Sequence, residues 1–81
     1  MAGSEDTVKA LRAALQVSPD NIPLRQHLCQ TLLGLGRYSD AESEYREALS
    51  RAPDNQGLKI GLANAYFQQG KNSHALVILK M

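Results

Sequence analysis

The chain has one cysteine, three prolines, no tryptophan and few aromatics among its 81 residues, and its charges nearly cancel at a formal +1. Each shortage excludes something. A lone cysteine, Cys29, cannot build an internal disulfide framework and suits a reducing compartment. The near-neutral balance lacks the basic footprint of a nucleic-acid or anionic-membrane binder. No apolar run approaches the roughly 18 residues that span a bilayer. The polar start Met1-Ala2-Gly3-Ser4-Glu5-Asp6 lacks the basic-then-apolar layout of a signal peptide. These features predict a cytoplasmic chain without nucleic-acid or membrane partners. The length suits one small domain, which buries about 60–65% of its unfolded surface, and leaves no room for two lobes around a cleft.

What the sequence does contain is a repeat. Ser18-Pro19-Asp20-Asn21 returns as Ala52-Pro53-Asp54-Asn55, a period of 34 residues. The same shift lays Leu24 on Leu58, Leu28 on Leu62, Gly36 on Gly70, Ser39 on Ser73 and Ala41 on Ala75. Run backwards, it lays Asp6, Arg12, Ala14 and Leu15 on Asp40, Arg46, Ala48 and Leu49.

Each unit reads as two helices. Ala41, Tyr45, Ala48, Leu49 and Ala52 follow the i, i+4, i+7, i+8, i+11 spacing of one helix face. Ser39 and Glu42 have the spacing of a capping box. Glu42–Arg46 and Glu47–Arg51 are i,i+4 pairs on the opposite face, each worth about 0.2–0.5 kcal/mol. Leu24, Leu28, Leu32 and Leu35 stripe the partner helix, with Pro23 in its first turn and Gly36 at its end. The second unit repeats this with Leu58, Leu62, Tyr66, Gly70, Ala75 and Leu79. A lone helix over 5–17 precedes a full repeat over 22–53 and a truncated one over 56–81. The expectation is an all-α chain of five antiparallel helices joined by tight turns.

This pattern resembles the tetratricopeptide repeat, whose signature appears as Arg25-x2-Leu28-Cys29-x2-Leu32, Ala41-x3-Tyr45 and Pro53. The second unit shows it as Lys59-x2-Leu62-Ala63-x2-Tyr66 and Ala75-x3-Leu79. The resemblance implies a short right-handed solenoid of stacked helix pairs. Arg25 and Lys59 stand where the family's pattern opens on a large aromatic, so packing there should be looser or use their aliphatic stems.

No catalytic constellation emerges. Glu42, Glu44 and Glu47 read as a solvated face. Cys29 and His27 lie about 200° apart on a helix, so Cys29 reads as a small buried residue with His27 packed nearby. One cysteine with the separated His27 and His74 lacks metal-ligand spacing, and Gly34-x-Gly36 reads as a helix end. No enzyme activity, metal or cofactor is predicted.

A second stripe lies behind the packing ladder: Gln26, Gln30 and Leu33, then Ile60, Asn64 and Phe67, each spaced i, i+4, i+7. In the tetratricopeptide family that face lines a concave groove that holds peptides, so the resemblance implies a peptide or protein partner there. Amides suit a peptide backbone, and Leu33 and Phe67 offer apolar anchors. The competing reading is packing against a neighbouring repeat. The family's carboxylate-clamp type needs lysines, an arginine and asparagines here, and only Asn64 matches. Gly57 and Gly61, inside a helix, read as sites of close helix approach.

Ala75-Leu76-Val77-Ile78-Leu79 is apolar all round, and such a helix expects partners on every side. Self-association is therefore expected through Leu76, Val77, Ile78 and Leu79, with Val8, Leu11 and Leu15 as the complementary open end of a homo-oligomer. A terminal helix with one apolar side, or a longer protein continuing past this point, are the other readings. A likeness to bacterial repeat segments, some attached to ATPases, makes an adaptor region of a larger protein the remaining alternative.

Overall fold

A computed structural model of the chain describes residues 4–80. Among them the order is α1 Glu5–Val17, α2 Ile22–Gly34, α3 Tyr38–Arg51, α4 Gln56–Gln68 and α5 Asn72–Lys80. Ser4, Asn21 and Asn55 cap α1, α2 and α4, their side chains accepting the backbone N–H of Thr7, Leu24 and Leu58. Those amides would otherwise have no partner in the first turn. Gly36 and Gly70 both sit at φ 76°, a left-handed conformation that side chains disfavour. Beyond them the amides of Arg37 and Lys71 reach back to the carbonyls of Leu32 and Tyr66 at 2.9 and 2.8 Å. These are Schellman turns, and their identity in the two units shows the repeat acting at the level of hydrogen bonds.

The third helix departs from expectation. It begins at Tyr38 with Arg37 as N-cap and no side-chain cap hydrogen bond, so Ser39 and Glu42 form no capping box. The Gly36 turn delivers the chain directly into helical geometry and leaves Ser39 already inside the first turn. The start of α3 is held instead by Arg37, whose guanidinium pairs with Asp40 on its own helix and with Glu5 of α1.

Consecutive helices pack on one another from α1 to α5, and α2 also meets α4, in an array of 33 × 24 × 14 Å. Leu28, Leu32, Leu58 and Leu62 form the buried ladder, and the small side chains of Cys29, Ala41, Ala48, Ala63 and Ala75 are buried with it. Arg25 is buried too, its stem in the helix contact and its Nε donating to the Pro19 carbonyl at 2.6 Å. An arginine thus replaces the large aromatic by burying its methylenes and satisfying its head on a turn.

Val8, Leu11 and Leu15 belong to this same core, at 3%, 9% and 7% exposure. Their assignment to an open end is corrected: they are the stripe by which α1 packs on α2. The face that α1 leaves in solvent carries Ala10, Ala13, Ala14 and Val17. Ala14 is exposed where its repeat counterpart Ala48 is fully buried, because no described helix covers that face of α1.

Candidate functional site

The two trios fall on the side of α2 and α4 turned away from the leucine ladder. The 34-residue shift pairs Gln26 with Ile60, Gln30 with Asn64, and Leu33 with Phe67. Gln26 and Leu33 are half-buried, whereas Gln30, Ile60, Asn64 and Phe67 are exposed. Ile60 and Phe67 leave 60% and 45% of their surface in water, although each is one turn or less from buried leucine or tyrosine. The stripe is therefore an amide-and-apolar surface. None of its six side chains carries charge, and among the described residues the Asn64 side chain is engaged by one long hydrogen bond, from Gln68 Nε2 to Asn64 Oδ1, 3.5 Å.

Two glycines of α4 lie against side chains that a Cβ would meet. A Cβ on Gly57 would lie 2.9 Å from Gln26 Nε2, so the first turn of α4 rests against the first stripe residue of α2. A Cβ on Gly61 would overlap the ring of Tyr45 on α3. Close helix approach thus accounts for Gly61, whereas Gly57 meets only the movable end of Gln26 and the Asn55 side chain.

The carboxylates of α3 are not one solvated face. Glu42 is buried, with Oε1 accepting from Gln69 Nε2 at 2.9 Å and Lys71 Nζ at 3.1 Å, and Arg46 near Oε2 at 3.5 Å. Burial alone would push its carboxyl up, but the hydrogen bonds from Gln69 and Lys71 and the charges of Lys71 and Arg46 prevail and hold it below the ordinary value. Glu44 bridges to Arg12 of α1 at 2.6 Å. Glu47 alone is well exposed, paired with Arg51 at 3.2 Å. The sequence shows Glu42–Arg46 but not that the Gly70 turn brings Gln69 and Lys71 onto the same carboxylate. Glu42→Ala should cost about 1–2 kcal/mol, since it strips hydrogen bonds from two partners. Glu47→Ala should stay within about 0.5 kcal/mol. Urea midpoints at unchanged slope measure both.

Cys29 is fully buried, and burial, helped by the negative Glu44, pushes its thiol up to about 12. It stays protonated and unreactive near neutrality. His27 is exposed rather than packed beside it. Among the described residues, no three His, Cys, Asp or Glu side chains gather as metal ligands, and no helix is long and apolar enough to cross a membrane.

On α5, Ala75 is fully buried and Ile78 packs half-buried against the core. Leu76, Val77 and Leu79 remain 52%, 59% and 50% exposed. Leu79 occupies the repeat position of Tyr45, which is only 2% exposed, because α4 follows Tyr45 and no described helix follows Leu79.

The sequence profile of the tetratricopeptide repeat matches residues 5–46 and 32–81. The chain belongs to this family. Three solved structures of MamA, the first two of MamA AMB-1, resemble the tetratricopeptide array closely. One, in crystal form C2221, has TM-score 0.88 at 28% identity over 94% of this chain and 45% of that one. A second, in form P212121, has TM-score 0.86 at 28% identity over 91% of this chain and 40% of that one. A mutant MamA has TM-score 0.87 at 28% identity over 94% and 42%. The chain spans less than half the length of these structures. No curated protein sequence matches it. Tetratricopeptide repeats generally mediate protein–protein interaction and are typically non-catalytic.

Proposed function

We propose that this tetratricopeptide array is a non-catalytic scaffold that binds a peptide or partner segment along the shared face of α2 and α4. The observation that carries the reading is the exposure of Ile60 and Phe67 beside the amides of Gln30 and Asn64. Two large apolar side chains stand in solvent next to groups able to pair with an extended backbone. Phe67 is the principal anchor, since aromatic residues dominate binding hot spots. Selection of peptides from a displayed random library tests this. Phe67→Ala should weaken the selected peptides about tenfold or more. Added salt should change affinity little, because no stripe residue is charged. Peptides indifferent to Phe67→Ala would contradict the proposal.

A second reading rests on the exposed face of α5. Leu76, Val77 and Leu79 form an aliphatic patch whose coverage by a second copy would release about 1.5–3 kcal/mol per fully buried side chain. With Val8, Leu11 and Leu15 already inside the core, the contact is a symmetric pairing of two α5 helices, which closes at a dimer. Sedimentation across a wide concentration range should show a dimer that Val77→Glu returns to monomer. A wild-type chain that stays monomeric at high concentration would remove this reading.

A further inference from the structure

Two clefts between successive outer helices are related by the repeat. The first, about 260 Å³, is lined by Arg12, Leu15, Gln16, Arg25, Leu28 and Glu44. The second, about 390 Å³, contains each residue 34 positions on: Arg46, Leu49, Ser50, Lys59, Leu62 and Ile78. One molecule thus holds two versions of one cleft, and they differ in charge. In the first, both cations are satisfied within the chain: Arg12 holds the Glu44 carboxylate at 2.6 Å, and Arg25 donates to the Pro19 carbonyl. In the second, Ile78 takes the place of the carboxylate. Arg46, with 65% of its side chain exposed, reaches only the far oxygen of Glu42 at 3.5 Å. Glu42 is already engaged by Gln69 and Lys71. The Lys59 ammonium has no hydrogen-bond or ion-pair partner among the described residues.

We infer that the second cleft is a docking site for an acidic segment of a partner protein, in which a carboxylate beside an aliphatic side chain supplies from outside what Glu44 supplies inside the first cleft. The carboxylate meets Arg46 and Lys59 in charge-assisted hydrogen bonds. The aliphatic neighbour lies on Leu49, Leu62 and Ile78. This site is separate from the stripe: on α4, Lys59, Leu62 and Tyr66 point about 130° around the helix from Ile60, Asn64 and Phe67, at about 100° per residue.

The test is nuclear magnetic resonance titration of the 15N-labelled full chain with a blocked peptide of alternating leucine and glutamate, and with its leucine–glutamine counterpart. The acidic peptide should shift the amides of Arg46, Ser50, Lys59 and Ile78, and the counterpart should not. Lys59→Gln should weaken binding about tenfold, the usual scale for a hydrogen bond to a charged group. Ile78→Glu should abolish it by placing the first cleft's internal carboxylate in the second. Glu44→Ile should create a new response at Arg12 and Leu28. Circular dichroism checks that the variants fold, and Lys59→Gln, which removes the charge while keeping the inner half of the half-buried stem, decides the matter if Ile78→Glu does not. Equal response to both peptides, no effect of Lys59→Gln, or shifts confined to Ile60 and Phe67 would overturn the inference. So would cleft signals that move with protein concentration alone, which would make a second copy the occupant.

Discussion

Leu28→Ala should lower the free energy of unfolding by about 2–5 kcal/mol, the range for emptying a well-packed leucine site. Leu28 is 1% exposed and lies among other leucines and alanines of the ladder. The alanines are already minimal in size, and Cys29, Ala41 and Ala48 are buried in the same core, so the surroundings have little means of closing the cavity. A domain of this length has only about 0.05–0.15 kcal/mol of stability per residue, so the loss is a large fraction of the total. Leu24→Ala, at the half-buried counterpart of the fully buried Leu58, should cost visibly less. Thermal and urea unfolding of the two variants measure the difference. Equal, small effects would mean that the ladder does not hold the array together.

Gly61→Val should be destabilising by about 1–3 kcal/mol, although it removes a glycine from a helix interior. On propensity alone, replacing that glycine would be neutral or favourable. The opposite sign follows from Tyr45, whose ring, 2% exposed, lies where the new side chain must go. The cost should shrink in a Tyr45→Leu background, where the smaller side chain leaves space, and the double-mutant cycle isolates that coupling. A penalty unchanged by Tyr45→Leu would assign Gly61 some other role.

The repeat made most of the fold legible. Pro-Asp-Asn at 19–21 and 53–55, glycine at 36 and 70, and leucine at 28 and 62 are local signals whose physics is also local: caps, left-handed turns and helix stripes. Relations set by the ends of the array were less legible. Val8, Leu11 and Leu15 have the spacing of any amphipathic stripe, and only the placement of α2 shows that they face it. The capping box at Ser39 and Glu42 failed because the Schellman turn at Gly36 restarts the helix at once. The freed Glu42 is then collected by Gln69 and Lys71, 27 and 29 residues away, and no spacing rule announces that contact. The stripe was readable because i, i+4, i+7 spacing on each inner helix follows helix geometry alone. The paired clefts were half-readable: the repeat lays Arg12 on Arg46, but the loss of the matching carboxylate at Ile78 matters only once α1, α3 and α5 are seen to line equivalent spaces.

The central claim, that the shared face of α2 and α4 is the partner surface, is tested most directly by mapping backbone amide shifts in the 15N-labelled chain with a library-selected peptide bound. The predicted map covers Gln26, Gln30, Leu33, Ile60, Asn64 and Phe67, with the largest change at Phe67. A map confined to the outer faces of α1, α3 and α5 would contradict it.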